Sequence, residues 1–323
     1  MSDNKATGLS WDTYWQGAHN ASAPKAGGAQ DEALKVFWTD IVSAHANDQK
    51  DMRLLDVACG NGAVTGIALE AAGQNQIKLI SYCTDYSLAA VQATQEKYPA
   101  VKGVASDAKH LPFQPASFDV VVSQFGIEYA GPDGFAQCAE LVAPAGTFVA
   151  IVHLQDSVIY KECEASLQAS KKTTGSKVLE LARSAFSAAY EVLEGKAEQD
   201  VFVQADKNLA PAVEAVKAIL VEKGKDVADG TVFGLLGNLG HMYGNIEGYN
   251  PQDVFAWIDK MELELHAYSA RISSMLNAAV GAQELQSIIE LVASKGMSVT
   301  RKDQLSFSEG KPAAWILVFE KQP

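Results

Sequence analysis

Between residues 53 and 153, short and almost continuously apolar runs alternate with stretches of helical spacing. The four clearest runs span residues 53–58, 77–84, 118–123 and 147–153. Strands that are apolar on both faces belong to parallel sheets covered by helices on both sides, because only there does each face leave water. This alternation predicts an α/β fold built on a mostly parallel sheet.

The chain ends on two further strand patterns. Residues 298–307 alternate weakly, residues 308–312 read as a turn, and residues 313–320 are strongly apolar. Two strands joined by a short turn pair with each other in an antiparallel sense. We therefore expect a terminal β-hairpin that completes the sheet.

Residues 156–295 contain no convincing strand pattern, and helical spacing dominates there. Two apolar stripes recur at every third and fourth residue. They comprise Leu179, Ala182, Phe186, Ala189 and Leu193, followed by Val254, Trp257, Met261, Leu265, Tyr268, Ile272, Met275 and Ala279. Between the stripes, residues 233–251 carry five glycines among aromatic side chains. That composition predicts a mobile segment.

At 323 residues the chain exceeds the usual size of one compact domain. We expect an N-terminal helical cap over residues 1–50, with a flexible joint at 23–28 and a second helix capped by Asp31. Residues 51–155 and 296–323 then form the sheet domain. Residues 156–295 form a helical insertion after the fifth strand. Because the insertion begins at the ligand-binding edge of the sheet, we expect it to form a substrate pocket and its lid.

Charge and cysteine content narrow the class of partner. The net charge of −13 and the pI near 4.9 disfavour a nucleic-acid substrate and favour a small molecule. The four cysteines show no zinc-site spacing, so we expect free thiols, most of them buried, and no metal. No apolar run approaches the roughly 18 residues of a membrane span. We expect a soluble, cytoplasmic monomer or homodimer without membrane partners.

Residues 54–65 form a strand that ends in a glycine-rich turn and opens a helix. Gly60 and Gly62 let a ligand approach the backbone closely, and the start of the following helix offers free N–H groups. A tight turn without a ligand explains the same pattern, and this motif alone does not exclude it.

Asp85 ends the next predicted strand, about 25 residues after Gly60. A carboxylate at that edge accepts hydrogen bonds from both ribose hydroxyls of an adenosine ligand, whether a dinucleotide or S-adenosylmethionine (SAM). Asp85 also suits the N-cap of the helix that begins near Leu88. The residue by itself leaves these interpretations open.

A third element distinguishes between the cofactors. Asp107-Ala108 precedes Leu111-Pro112-Phe113, and the next strand begins at Phe118-Asp119. With the helix, turn and strand of residues 140–149, this ordered set resembles the class I SAM-dependent methyltransferases that modify small molecules. The resemblance covers residues 51–153 and 298–320. Ala145 stands where the family usually has glycine.

The resemblance implies a Rossmann-like sheet of seven strands with SAM at its carboxyl edge. Asp56 would organise the first loop, and Asp85 would hold the ribose. The remaining cofactor contacts that it implies are Ala58, Gly60 and Gly62 at the methionine part, Tyr86, Asp107 and Ala108 at the adenine, and Gln124 and Phe125 at the sulfonium. Ala58 replaces a glycine of many members, and an extended backbone there would accommodate its methyl group. Residues 11–15 look like the N-terminal helix that closes over the cofactor, although plain packing on the sheet fits equally well.

Methyl transfer is an in-line displacement that needs a general base only when the acceptor carries a proton to lose. Glu128 and Tyr129 follow the fourth strand, and His153 and Asp156 follow the fifth. The imidazole of His153 suits base catalysis near neutral pH, and Glu128 suits positioning of SAM or substrate. A purely structural histidine fits the sequence as well.

In the insertion, Tyr268 and Arg271 lie one turn apart and are candidates for contact with the acceptor. His241 and Tyr243 belong to the glycine-rich segment and are candidates for a lid. Core packing of the tyrosine, a solvated arginine and a simple loop are the plainer interpretations.

Two other functions remain open at this stage. A nicotinamide- or flavin-dependent oxidoreductase shares Gly60, Gly62 and Asp85, although its fingerprint needs a small residue where Thr65 stands. A module that binds SAM without catalysing a reaction would keep every cofactor contact.

Overall fold

A computed structural model of the chain describes residues 11, 15, 32–45, 51–306 and 310–323. Its centre is a seven-stranded sheet in the order β3-β2-β1-β4-β5-β7-β6. The strands are β1 Met52–Val57, β2 Leu79–Asp85, β3 Lys102–Ala105, β4 Phe118–Gln124, β5 Val142–His153, β6 Met297–Ser306 and β7 Pro312–Lys321. The predicted α/β class is confirmed.

The pairing of the strands follows the sequence patterns. Parallel pairs join β1 to β2 and β4, β2 to β3, and β4 to β5. Strand β7 pairs antiparallel with both β5 and β6, so the predicted terminal hairpin is confirmed. The short strand β3 lies at the sheet edge and is at most half-buried, which explains why it shows no apolar run.

Helices cover both faces of the sheet. They are α1 Glu32–Ala44, α2 Ala63–Gln74, α3 Leu88–Lys97, α4 Gly131–Leu141 and α10 Ala282–Ser294. Trp38 of α1 and Ile67 of α2 pack with Leu54 in the core of one face. Phe135 of α4 and Ile288 of α10 pack in the core of the other. The near-continuous apolar strands are thus explained by burial on both sides.

The chain divides into two compact units. A sheet unit comprises Met1–Tyr160 and Ser274–Pro323, and a helical unit comprises Lys161–Ser273. Spacing alone had placed residues 274–295 with the insertion. Helix α10 instead buries Leu285, Ile288 and Val292 in the sheet core. The proposed role of residues 156–295 as a substrate pocket and lid stays a prediction.

Five long helices follow β5 before α10. They are α5 Val158–Gly175, α6 Val178–Leu193, α7 Gln199–Lys223, α8 Thr231–Gly244 and α9 Pro251–Ala278. Both predicted apolar stripes lie on helices, at α6 and along α9. Most of their members are buried, whereas Leu193, at the end of α6, is half exposed.

The prediction of a mobile segment over residues 233–251 is wrong for most of its length, because residues 231–244 form helix α8. Leu235, Leu239 and Met242 are buried at spacings of four and three residues. Gly237 and Gly240 face away from the packing, with no atom within 4 Å of the position of a Cβ. Burial of one apolar face therefore outweighs the poor helix propensity of the glycines.

Several expectations fall partly outside the described residues. Of the N-terminal cap, α1, Trp11 and Trp15 are described, whereas the joint at residues 23–28 and Asp31 are not. All four cysteines are free, and three of them are buried as predicted. Within the described part of the chain, no helix has the length and apolar character needed to span a membrane.

Candidate functional site

A cavity opens at the carboxyl edge of the sheet, where β1, β2 and β4 end. It is lined at one end by Thr84, Asp85, Tyr86, Ser106, Asp107, Ala108 and Lys109, and elsewhere by Trp11, Trp15, Ala58, Phe125, Gly126, Tyr129 and Ala130. Open parallel sheets bind ligands at this edge. Six residues that the sequence assigned to the cofactor therefore lie around one cavity.

Asp56 lies beneath the first loop rather than in the cavity wall. Its Oδ2 accepts hydrogen bonds from the Thr65 backbone N–H at 3.0 Å and from the Thr65 hydroxyl at 2.6 Å. The residue is 2% exposed, and burial raises the pKa of its carboxyl to about 7. Asp56 thus ties the start of α2 to the end of β1, as an organiser of the loop would.

Ala58 departs from the expected conformation. Its φ of 57° is left-handed, so the expectation of an extended backbone is wrong. A Cβ at Gly126 would meet the Ala58 Cβ at 2.3 Å. Ala58 fits the cavity wall because the residue across from it has no side chain.

Gly60 and Gly62 both have positive φ values, 53° and 76°. A Cβ at Gly60 would lie 2.6 Å from the indole of Trp15, and Gly62 is the left-handed N-cap of α2. Only glycine adopts such conformations with little steric strain. The turn therefore needs both glycines, and the Trp15 ring lies directly against the loop.

Asp85 joins two loops through its carboxylate. Its Oδ2 accepts the Gly60 N–H at 2.9 Å, and its Oδ1 accepts the Ser87 N–H at 2.9 Å. The alternative that Asp85 caps helix α3 is wrong, because the N-cap is Ser87, whose hydroxyl accepts the Ala90 N–H. Asp85 is half-buried and lines the cavity, where its carboxylate can also accept bonds from a ligand.

The adenine end, as assigned from the sequence, holds Tyr86, Asp107 and Ala108. Tyr86 is 48% exposed, and Asp107 accepts the Lys109 N–H at 2.9 Å. The hydroxyls of Thr84 and Ser106 lie 2.6 Å apart in the same wall. The sequence did not single out these two hydroxyls, because Thr and Ser at strand ends carry no distinctive pattern.

Gln124, the last residue of β4, and Phe125, which follows it, have different surroundings. The side-chain oxygen of Gln124 accepts the Trp38 indole N–H at 2.6 Å, and Gln124 is not among the residues that line the cavity. Its expected place at the sulfonium is therefore corrected: the indole of α1 engages the amide. Phe125 lines the cavity with a φ of 54°.

Glu128 and His153 are brought together from the ends of β4 and β5. One carboxylate oxygen of Glu128 accepts the His153 backbone N–H at 3.1 Å and lies 2.6 Å from the ring nitrogen Nδ1. The Glu128 side chain is fully buried, and its other oxygen has no partner among the described residues. The ring of His153 contacts those of Phe125 and Tyr129, at centroid distances of 4.7 and 6.2 Å. A carboxylate therefore holds the imidazole against two rings that line the cavity, and His153 itself is not among the lining residues.

The candidates from the insertion lie in the helical unit. Tyr268 is buried, burial raises the pKa of its phenol, and the Arg271 guanidinium lies over its ring at 5.1 Å. His241 is exposed on α8, with Nδ1 2.8 Å from the Tyr249 hydroxyl. Asp156, after β5, is exposed with a φ of 61°. Tyr243 of α8 donates its hydroxyl to Asp206 at 2.8 Å.

The residues present fit an adenosine ligand. Asp85 and Asp107 place acceptors in the cavity wall, and Trp15 and Ala58 pack where Gly60 and Gly126 have no side chains. Within the described residues, no three His, Cys, Asp or Glu side chains group as a metal site.

Residues 55–150 match the family model described as "Methyltransferase domain". The match runs from the end of β1 through most of β5. It contains Asp56, Gly60, Asp85, Asp107 and Glu128, and it ends just before His153.

Curated relatives match over the same region. The chain is 31% identical over 118 residues to a demethylmenaquinone methyltransferase of Bacillus licheniformis, which covers 35% of this chain and 50% of the relative. It is 33% identical over 96 residues to a ubiquinone/menaquinone biosynthesis C-methyltransferase UbiE of Rhizobium leguminosarum, covering 28% and 37%. The chain therefore spans half or less of the length of these two relatives.

Among solved structures, the CMeT domain of the citrinin polyketide synthase is similar to this chain. The alignment covers 90% of this chain and 52% of the chain in that structure. The TM-score is 0.44 and the identity is 12%.

Proposed function

We propose that the chain transfers the methyl group of SAM to a small-molecule acceptor, because residues 55–150 match a methyltransferase domain. The proposal is supported by the hydrogen-bonded pair Glu128–His153, whose imidazole packs against Phe125 and Tyr129 of the cavity wall. A pair of this kind suits removal of a proton from an acceptor held at the same edge.

The cofactor is held by residues of three strand ends. Asp85 would accept the ribose hydroxyls, and Asp107 with the backbone of Ala108 would meet the adenine. The loop of Ala58 and Gly60 would border the methionine part, where Ala58 lines the cavity and Trp15 packs against Gly60. SAM supplies a methyl group bound to a positively charged sulfur. When the methyl group is transferred, the rest of SAM leaves readily as a neutral thioether.

The protein's own part in the reaction is to align the acceptor and to receive its proton. With Nδ1 donating to Glu128, the lone pair of His153 is on Nε2, which acts as the base. The acceptor's proton passes to Nε2, its electron pair forms the bond to the methyl carbon, and the S–CH3 electrons remain on sulfur. Glu128 holds the ring and stabilises the imidazolium that results.

Contact of Tyr268 and Arg271 with the acceptor remains a proposal from the sequence. An arginine can bind a carboxylate or a carbonyl of a small molecule. An Arg271→Ala variant that keeps both KM and kcat for the acceptor would refute this part.

The experiment begins with methyl-labelled SAM and metabolite extracts, from which labelled products are isolated. NMR of the labelled methyl group then identifies the acceptor atom. Carbon is tested first, because one of the matched relatives bears the name C-methyltransferase. If the protein binds SAM but forms no labelled product, the alternative of a SAM-binding module without catalytic activity would be favoured.

The base is tested with His153→Ala and Glu128→Gln. Both should lower kcat by about 10²- to 10⁴-fold, the usual contribution of a general base, while the Kd for SAM stays unchanged. His266→Ala, at an exposed position on α9, is the matched control. Equal activity of His153→Ala and His266→Ala would overturn the assignment.

A further inference from the structure

Besides Tyr86, which is assigned to the adenine, four aromatic residues line the cavity. They are Trp11, Trp15, Phe125 and Tyr129, and we refer to them as the aromatic wall. The indole of Trp11 meets the Tyr129 ring edge-on, with centroids 5.4 Å apart. The wall is therefore a packed group rather than a set of scattered side chains.

The aromatic wall stands against the loop assigned to the methionine part of SAM. The six-membered ring of Trp15 would be only 2.6 Å from a Cβ at Gly60, so the indole rests on that loop. Gly126 follows Phe125 in the chain, and its backbone packs against the Ala58 side chain. A ligand that follows the Gly60 loop passes beside aromatic rings.

Two carboxylates of the cavity are assigned to the adenosine. Asp85 accepts the backbone N–H groups of Gly60 and Ser87, and Asp107 accepts that of Lys109. The adenosine is common to SAM and its product S-adenosylhomocysteine (SAH). Asp85 and Asp107 therefore do not separate the two ligands through the adenosine. Glu128 is fully buried behind His153, with one oxygen engaged by that ring.

The two ligands differ at sulfur. SAM carries a full positive charge there, whereas the thioether of SAH is neutral. Aromatic faces attract such cations through the ring quadrupole, which is how proteins recognise quaternary ammonium groups. The same rings gain little from a neutral thioether.

Resting on the proposed function, we propose that the aromatic wall makes the site selective for the charged methyl donor over its neutral product. Loss of the charge on transfer removes part of the attraction, so the product is released more readily and inhibits less. The wall acts on the ratio of the two affinities, whereas the hydrogen bonds of Asp85 and Asp107 to the adenosine are the same for both ligands.

The test measures the Kd values of SAM, SAH and sinefungin by calorimetry. Sinefungin carries an amine in place of the methylsulfonium and cannot transfer a methyl group. In Trp15→Leu and Tyr129→Leu, the preference for SAM and sinefungin over SAH should fall by about 3- to 30-fold. Trp15→Phe, which keeps a ring, should retain most of the preference. Phe113→Leu is the matched control, because its ring packs on Tyr82 and Phe118 outside the cavity.

A second measurement avoids changes of shape. Biosynthetic replacement of the five tryptophans by 5-fluorotryptophan weakens the ring quadrupole and keeps the fold. The preference for SAM should fall in this protein as well. Equal weakening of SAM and SAH in the leucine variants, with no change on fluorination, would overturn the proposal. An unmodified protein that binds no SAM would instead refute the proposed function.

Discussion

Burial raises the pKa of the Asp56 carboxyl at the cofactor edge. The residue is 2% exposed, and its pKa rises from 3.8 to about 7. The two hydrogen bonds from Thr65 favour the charged form and oppose part of this shift. The folded protein therefore holds this proton more tightly than the unfolded chain does. The stability that this proton contributes is complete below about pH 4 and is lost as the pH rises towards about 7.

Asp56→Asn removes the titration while keeping an oxygen that accepts the Thr65 bonds. Relative to this variant, the wild-type free energy of unfolding should fall by on the order of 2–4 kcal/mol between about pH 4 and pH 7. Urea unfolding across that range measures the difference. Two curves that stay parallel would show that Asp56 is ionised throughout.

Ala58 and Gly126 form a pair in which only one residue can carry a methyl group. The Gly126→Ala variant would place its Cβ 2.3 Å from that of Ala58. It should therefore lose about 1–3 kcal/mol of stability, as over-packing does. In the Ala58→Gly background the nearest remaining atom would be the residue 58 carbonyl oxygen, at 3.3 Å.

The double variant Ala58→Gly, Gly126→Ala should accordingly recover most of the loss. Thermal and urea unfolding of the two single variants and the double variant give the coupling energy. If the stability changes of the two single variants simply added in the double variant, the contact between the two methyl groups would not be the cause of the loss in Gly126→Ala. Ala58→Gly alone also relieves the left-handed φ of 57° and should not destabilise the protein by itself.

At the scale of elements, helix α8 offers a separate test. Gly237 and Gly240 are exposed within it and have no atom within 4 Å of a Cβ position. Replacing either by alanine should raise the free energy of unfolding by about 0.5–1 kcal/mol, because alanine loses less backbone entropy in a helix. Gly230→Ala is the control and should destabilise, since its φ is 75°. A loss at Gly237 and Gly240 would mean that the helix needs these glycines.

The same helix shows where sequence patterns stop being informative. Glycine content predicted a mobile segment, yet Leu235, Leu239 and Met242 buried on one face decide the local structure. The strands of the sheet were predictable because each is apolar over its whole length. Strand β3 was not, since an edge strand of four residues buries too little to leave a signal.

The candidate site was predictable where backbone geometry dictates residue type. Gly60, Gly62 and Asp85 stand where the turn and the strand end require them. Gln124 was misplaced because its partner Trp38 is 86 residues away in sequence. The contact between Glu128 and His153 was equally invisible, since the two strands that bring them together had first to be paired in register.

Across the whole molecule, the charge distribution favours a cationic ligand. The chain carries a net charge of −13, and Asp85 and Asp107 line the cavity. SAM brings a positively charged sulfur to this edge, whereas a dinucleotide brings a pyrophosphate with two negative charges. In a dinucleotide site the pyrophosphate lies at the start of the helix, where Asp56 already engages the Thr65 backbone N–H here.

Ligand-dependent stability separates the two cofactors with the intact chain. A ligand that binds only the folded state adds about 2.7 kcal/mol to the free energy of unfolding at 100 times its Kd. SAM should show this gain in chemical unfolding, and NAD at the same concentration should show none. Asp85→Asn should need a higher SAM concentration for the same gain, because an amide is a weaker acceptor for ribose hydroxyls than a carboxylate. If NAD raised the free energy of unfolding as much as SAM does, an oxidoreductase would be favoured. The site would then recognise only the adenosine that both ligands contain.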